Sequence, residues 1–131
     1  MTDRPFEILL VDDNPADVLL TQCVFEDADF AVSWQVVGDG LQALALLRRQ
    51  GAHGAARRPD LVLLDLNMPR MDGLELLTHL RADAALRDLR VVVMTASASE
   101  IEVWQARGVG ASAYLPKPVD PAEVLALLTL A

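Results

Sequence analysis

The chain has 131 residues, of which 53% are hydrophobic and 23% charged, and it carries a net charge of −8 at pH 7. This length and balance predict one globular domain with a proper core and exclude an intrinsically disordered chain. The acidic balance argues against direct binding to nucleic acid, and no apolar run approaches the ~20 residues that a membrane span needs. The single cysteine, Cys23, favours an intracellular, cytoplasmic protein.

The basic residues are unevenly divided between the two types. Of the 11 lysines and arginines, Lys117 is the only lysine. In a chain this rich in arginine, one lysine is either a compositional remnant or a position that arginine cannot fill. Both interpretations are open at this point.

Short apolar runs alternate with amphipathic stretches along the chain, and this alternation predicts five strands and five helices. Strands are predicted at 7–11, 32–37, 61–64, 90–94 and 111–115. Helices are predicted at about 15–27, 41–47, 73–81 and 98–107, with a fifth beginning at 121, and 51–59 is predicted to be a surface loop. Strict alternation predicts a parallel sheet with right-handed crossovers and helices on both faces.

Two helix starts carry explicit capping signals. Ser97 is followed three residues later by Glu100, which fits a capping box at the start of the fourth helix. Asp120, Pro121 and Glu123 supply a cap, a first-turn proline and an acidic third position for the fifth helix.

Polar residues directly follow four of the five apolar runs. Asp12 and Asp13 end the first, Asp65 the third and Thr95 the fourth, and the fifth leads to Lys117. In sheets of this kind, ligands bind beyond the carboxyl ends of the strands, so we expect these side chains to share one site. Three carboxylates and one ammonium sum to −2, which a divalent cation would balance. The hard oxygen ligands suit Mg²⁺.

Each of these residues also has an ordinary structural interpretation. Residues 12–14 could cap the helix that begins at Pro15, and Thr95 could cap the helix that follows it. Asp65 could be an ordinary loop residue, and Lys117, between two prolines, could be a solvated charge. Their occurrence at four strand ends favours a common site.

From about Phe6 to Leu130 the sequence resembles the receiver domain of bacterial response regulators, the phosphate-accepting half of two-component signalling. The most specific match is the phosphoacceptor loop, residues 65–73, with the sequence DLNMPRMDG. The acidic pair at 12–13, the Thr95–Ala96 step and the YLPKP segment at 114–118 match in order and spacing. The resemblance implies a flavodoxin-like five-stranded parallel sheet of order 2-1-3-4-5, in a single receiver domain over residues 1–131 without an output domain.

The resemblance also implies how the phosphoryl group is accepted. Asp65 would receive it from a kinase histidine, with Mg²⁺ (or Mn²⁺) as the metal. The implied metal ligands are Asp12, Asp13, Asp65 and the backbone carbonyl of Asn67.

Further roles follow from the same resemblance. Thr95 and Lys117 would bind the phosphoryl group, and Tyr114 would be the switch aromatic that turns inward. Asn67 and Ser97 would tune the phosphoryl lifetime. A cis peptide bond is implied between Lys117 and Pro118.

Two segments indicate a particular subgroup of the receiver-domain family. The DDNPAD sequence at 12–17 and the extended segment before the third strand resemble stand-alone regulators paired with phytochrome-type histidine kinases. The implied partner is therefore a sensor histidine kinase, with a bacteriophytochrome as the specific expectation.

The last helix is apolar around most of its circumference, since Glu123 and Thr129 are its only polar residues between 122 and 131. A surface helix is normally apolar along one stripe. We therefore predict a homodimer or partner face on the fourth helix, fifth strand and fifth helix. Its predicted members are Ile101, Trp104, Val124 and Leu128. The alternative is that this helix lies deeper in its own core.

The sequence thus predicts a signalling phosphoacceptor and not an enzyme in the ordinary sense. One alternative within the family is a phosphorelay intermediate that passes the phosphoryl group to a histidine phosphotransfer protein. A remote alternative is a small Mg²⁺-dependent aspartyl phosphatase. Such an enzyme needs a second carboxylate for proton transfer, where this chain has Asn67.

Overall fold

The computed structural model describes residues 5–48, 58–66, 73–108 and 110–129, and the structural statements below concern these residues. The strands are β1 (Phe6–Val11), β2 (Val32–Val37), β3 (Leu61–Asp65), β4 (Val91–Thr95) and β5 (Ala113–Pro116). The helices are α1 (Pro15–Glu26), α2 (Gly40–Leu47), α3 (Gly73–Ala82), α4 (Ala98–Arg107) and α5 (Pro121–Leu128). None of the helices in these ranges is long and apolar enough to cross a membrane.

All five strands pair in parallel, in the order β2-β1-β3-β4-β5. The predicted fold is confirmed. The chain direction across the sheet reverses after β1, so the topological switch point lies between β1 and β3. β3 and β4 are buried along their whole length, as expected for apolar strands covered on both faces. β5 begins two residues later than predicted, because its pairing with β4 starts at Ala113 opposite Val92.

The side chains of the central strands alternate between two cores. On β1, Ile8 and Leu10 point to the core that α1 and α5 cover, while Leu9 and Val11 point to the core beneath α2, α3 and α4. These four side chains are fully buried. The sheet is therefore fixed from both faces, and the carboxyl ends of its strands are held at one edge.

Three helix starts show side-chain capping. Asn14 accepts hydrogen bonds from the backbone N–H groups of Ala16 (2.9 Å) and Asp17 (3.2 Å) at the start of α1. Asp39 caps α2 in the same way. Asp120 caps α5 with Pro121 in the first turn, so that prediction is confirmed.

The predicted capping box at the start of α4 is wrong. Ser97 is the N-cap residue, but its side chain makes no capping hydrogen bond. Its hydroxyl pairs with that of Ser99 at 2.8 Å, and the N–H of Glu100 donates to the backbone carbonyl of Ser97 at 3.2 Å. The neighbouring hydroxyl thus replaces the backbone donor that a capping box uses.

Two residues of the predicted dimer face lie inside the chain's own core. Val124 is fully buried and Leu128 is 8% exposed, both in the core under α1 and α5. Their predicted place on an exposed face is wrong, because α5 uses these side chains to cover the sheet. Ile101 and Trp104 are half-buried, and Trp104 packs against the opposite core. Leu127 is also partly buried against this core, so three of the apolar side chains of α5 pack within the chain. A homodimer through α4 and β5 stays a prediction.

Candidate functional site

The predicted strand-end residues meet at one edge of the sheet. Asp12 follows β1, Asp65 is the last residue of β3 and Thr95 is the last of β4. Lys117 directly follows β5, whose Pro116 pairs with Thr95. The parallel register places all four at the carboxyl edge, beside the switch point.

Three carboxylates form a compact cluster at this edge. Asp12, Asp13 and Asp65 each offer an oxygen atom, and these atoms lie within 4.8 Å of one another. Asp12 and Asp65 are buried, whereas Asp13 is exposed. Hard oxygen donors beside an open approach suit Mg²⁺, which keeps several water ligands. The residues present therefore fit a divalent cation. Asn67, the fourth predicted ligand, lies outside the described residues.

At the start of α1, the residue that caps the helix is different from the candidate metal ligands. Asn14 caps the helix, so the structural interpretation of residues 12–14 applies to Asn14 and does not account for the two aspartates. Asp12 accepts a hydrogen bond from the N–H of Asn14 through Oδ1 (3.0 Å). Its Oδ2 faces Lys117 at 3.2 Å. One short turn thus fixes the buried carboxylate in orientation.

The ammonium of Lys117 contacts three carboxylates. Its Nζ lies 3.2 Å from Asp12 Oδ2, 3.1 Å from Asp17 Oδ2 and 3.4 Å from Asp65 Oδ2. Lys117 is therefore not a solvated charge. Sequence reasoning missed Asp17. Its place in the first turn of α1 puts it at the same edge as the strand ends, but this placement alone does not determine whether its side chain faces Lys117.

The charge of the site differs from the predicted sum. Four carboxylates, at Asp12, Asp13, Asp17 and Asp65, and one ammonium lie at this edge, which gives a formal local charge of −3. Burial lowers the pKa of Lys117, but the hydrogen bond to Asp17, the attraction of Asp65 and Asp12 and the hydrogen bond to Asp12 together raise it above the ordinary value. Lys117 is therefore cationic at neutral pH, and an excess of negative charge is left for a cation to balance.

The backbone fixes Lys117 next to the end of β4. Its N–H donates to the carbonyl of Thr95 at 2.8 Å. The peptide bond between Lys117 and Pro118 is cis, which confirms the expectation from the resemblance. The ammonium and the Thr95 hydroxyl are thus carried by neighbouring strands.

Thr95 and Tyr114 stand where the prediction placed them in the fold. The Thr95 hydroxyl accepts from the N–H of Ser97 (3.2 Å) and donates to the Ser97 carbonyl (3.4 Å). Tyr114 is half-buried against the core beneath α2, α3 and α4, as is Trp104. The roles of Thr95 in phosphoryl binding, Tyr114 in switching and Ser97 in lifetime stay predictions.

Gly73, the first residue of α3, lies against the backbone that carries the phosphoacceptor candidate. A Cβ atom at this position would lie 2.7 Å from the Cα of Leu66 and 2.8 Å from the carbonyl oxygen of Asp65. Contacts this short with backbone atoms cannot be relieved by a side-chain rotation. Glycine therefore permits α3 to start close to the end of β3.

Gly73→Ala is expected to destabilise the fold by about 1–3 kcal/mol, the usual range for overpacking. The matched control is Gly38→Ala, because a Cβ atom at Gly38 meets nothing within 4 Å. Urea denaturation of both variants measures the difference. Equal stability of the two would contradict the close packing of Gly73 on Asp65.

The fold and the acidic site are those of a phosphate-accepting signalling domain. Residues 8–129 match the response regulator receiver domain model. The chain therefore belongs to the response regulator receiver family. Members are phosphorylated by histidine kinases and bind a divalent metal at an acidic pocket, and they act as signalling phosphoacceptors and not as classical enzymes.

The most similar proteins include phytochrome-associated regulators. Response regulator Rcp1 of Synechocystis sp. (strain ATCC 27184 / PCC 6803 / Kazusa) is 38% identical over 116 residues, 88% of this chain and 79% of that protein. Its Mn(2+)-bound structure has a TM-score of 0.77 at 35% identity, covering 95% of this chain and 89% of that chain.

Two further solved structures belong to the same group. The bacteriophytochrome response regulator RtBRR has a TM-score of 0.86 at 35% identity, covering 98% of this chain and 80% of that chain. The phosphorylated cyanobacterial phytochrome response regulator RcpA has a TM-score of 0.78 at 33% identity, covering 95% and 89%. This chain is therefore related to phytochrome response regulators.

Proposed function

We propose that this protein is a response regulator that accepts a phosphoryl group on Asp65 from a sensor histidine kinase. The observation that carries the proposal is the contact of the Lys117 ammonium with Asp65 inside a cluster of carboxylates at the sheet edge. An aspartate paired with a cation and surrounded by further oxygen ligands is suited to accept, and then to neutralise, an added phosphoryl group.

The proposed transfer moves one phosphoryl group between two side chains. A carboxylate oxygen of Asp65 forms the new O–P bond while the N–P bond of the kinase phosphohistidine breaks. The electron pair of that bond returns to the imidazole nitrogen, which can then take a proton. Lys117 donates a hydrogen bond to the phosphoryl oxygens, and a Mg²⁺ ion on Asp12, Asp13 and Asp65 would supply charge neutralisation. The product is an acyl phosphate.

We further propose a bacteriophytochrome as the class of sensor kinase. The support is the relation to RtBRR and RcpA, whose names place them with phytochromes, over 98% and 95% of this chain. A kinase that draws its phosphoryl group from ATP implies a cytoplasmic site of action. The proposed output surface lies on α4 and β5, where Ile101, Trp104 and Tyr114 are half-buried.

Phosphotransfer from purified bacteriophytochrome histidine kinases tests the proposal. Radiolabelled phosphate should pass from the kinase to this protein in the presence of Mg²⁺. The label should be released by hydroxylamine, as expected of an acyl phosphate. Transfer from a small phosphodonor but from no such kinase would support the phosphoacceptor and reject the phytochrome link. No transfer from either donor would overturn the proposed function.

Millimolar Mg²⁺ is expected to raise the melting temperature by several degrees. A bound cation relieves the repulsion among the three clustered carboxylates and stabilises the folded state by mass action, by about 2.7 kcal/mol at a hundredfold excess over Kd. Differential scanning fluorimetry with Mg²⁺, compared with Na⁺ at equal ionic strength, measures the shift. Equal melting temperatures would count against the metal site. Asp13→Asn should reduce the shift.

A further inference from the structure

Asp17 makes the shortest of the three contacts to Lys117, yet it lies outside the carboxylate cluster. Its Oδ2 is 3.1 Å from Nζ, against 3.2 Å for Asp12 and 3.4 Å for Asp65. Asp12 and Asp65 also belong to the group of oxygen atoms within 4.8 Å that suits a cation, and Asp17 does not. Within the described ranges, Asp17 is therefore the carboxylate that faces Lys117 without also facing the metal position.

The three acceptors match the three N–H donors of an ammonium. A divalent cation on Asp12 and Asp65 would compete with Lys117 for the negative charge of these two carboxylates, and it would also repel the ammonium. A phosphoryl group on Asp65 would demand one of the donors as well. Neither cation binding nor phosphorylation of Asp65 would remove the contact between Lys117 and Asp17.

The backbone of Asp17 is fixed in the first turn of α1. Its N–H donates to the side chain of the N-cap residue Asn14 at 3.2 Å. The side chain is 39% exposed, whereas that of Asp12 is fully buried. The Asp17 carboxylate therefore holds the ammonium while it stays partly in contact with solvent.

We propose that Asp17 is a positioning residue for phosphotransfer, which anchors the Lys117 ammonium beside Asp65 when metal and phosphoryl group occupy the site. The proposal rests on the proposed function and deepens it. Asp17 acts through Lys117 and touches neither the phosphoryl group nor the metal. Its substitution should therefore matter only when Lys117 is present.

A purely structural role for Asp17 has a matched control in the same chain. An acid in a first helical turn stabilises the helix through the dipole. Glu123 stands in α5 as Asp17 stands in α1, third after an N-cap residue and directly after a Pro–Ala pair. Glu123 is exposed and lies on a different helix from Asp17. Glu123→Ala thus removes an equivalent charge at a helix N-terminus without removing a hydrogen-bond acceptor of Lys117.

The test measures the rate of phosphorylation by phosphoramidate, a small phosphodonor, at saturating Mg²⁺ in a double-mutant cycle. Asp17→Ala should lower the rate about tenfold in the wild-type background and less than about twofold in the Lys117→Ala background. Glu123→Ala should leave the rate unchanged. Asp17→Asn, which keeps an acceptor oxygen but loses the charge, should fall between wild type and Asp17→Ala.

A second readout does not depend on phosphorylation. Because Lys117 is the only lysine, protein labelled with ¹³C-lysine gives a single side-chain Cε signal in NMR spectra. Asp17→Ala should shift this signal in the metal-free protein, and Glu123→Ala should not.

Two outcomes would overturn the role of Asp17. The first concerns the phosphorylation rate, in a protein whose wild type is phosphorylated. Asp17→Ala would then either leave this rate unchanged or lower it by the same factor in the wild-type and Lys117→Ala backgrounds. The other is a Lys117 signal that Asp17→Ala leaves in place. A wild type that is not phosphorylated at all counts against the proposed function instead, and the Lys117 signal still decides whether Asp17 holds the ammonium.

Discussion

Asp65→Asn should abolish phosphorylation by kinase and by small phosphodonors, and it should stabilise the metal-free protein. An amide is not a nucleophile toward phosphorus, so no O–P bond can form. The stabilisation follows from charge, because Asp65 is repelled by Asp12 and Asp13 and attracted by Lys117. At an effective dielectric of 20, the two repulsions at 4.8 Å sum to about 7 kcal/mol, and the single attraction at 3.4 Å offsets about 5 kcal/mol of this. We expect a net gain of about 1–3 kcal/mol.

Urea denaturation without metal measures the difference in stability between Asp65→Asn and the wild type. In Mg²⁺ the wild type should become the more stable of the two, because the variant lacks one metal ligand. Asp29→Asn is the charge-matched control, since Asp29 is exposed after α1. It should leave both phosphorylation and stability unchanged. Label that persists on Asp65→Asn would show that another residue is the phosphoacceptor. Unchanged stability would show that the three carboxylates do not repel one another.

Lys117→Arg should slow phosphorylation at least about tenfold and suppress the structural response to it, although the net charge stays at −8. The Lys117 side chain is 15% exposed and its ammonium fits among oxygen atoms at 3.1–3.4 Å. A planar guanidinium is wider and directs its donors in a fixed fork, so it would crowd the carboxylates. The lost stabilisation of the transferring phosphoryl group then lowers the rate.

Two measurements distinguish the effect on the phosphorylation rate from the effect on the structural response. Mobility-shift electrophoresis follows phosphorylation, and hydrogen–deuterium exchange of α4 and β5 with and without beryllofluoride follows the response. Arg87→Lys is the reciprocal control, because Arg87 is exposed on the connection between α3 and β4. A Lys117→Arg variant with the rate and exchange pattern of the wild type would show that charge alone matters at this position.

The strand ends could be located from the sequence because β3 and β4 are buried on both faces. Such strands appear as unbroken apolar runs, and the first polar residue after each run marks the carboxyl edge. Asp65 ends β3 and Thr95 ends β4, each within one residue of the predicted boundary. The parallel connection then brought these residues to one edge together with Asp12 and Lys117.

What could not be predicted depends on how helices are rotated against the sheet. Whether Asp17 faces Lys117 or solvent depends on the orientation of α1, which the weak periodicity of that helix does not define. Val124 and Leu128 were assigned to an exposed face because apolar residues surround most of α5. Periodicity counts apolar residues, but it does not say how much of a helix the sheet covers. At Ser97, a neighbouring hydroxyl outcompeted the capping interaction.

The two tryptophans lie on opposite sides of the sheet and therefore give separate optical signals. Trp34 packs edge-to-face on Phe25, with ring centroids 5.2 Å apart, in the core under α1 and α5. Trp104 packs against the other core, with the guanidinium carbon of Arg107 5.1 Å from its ring centroid. Its indole nitrogen is buried without a hydrogen-bond partner among the described residues. In a Trp34→Phe protein, a shift in emission would report on the surroundings of Trp104 on α4. In a Trp104→Phe protein, it would report on the core under α1 and α5.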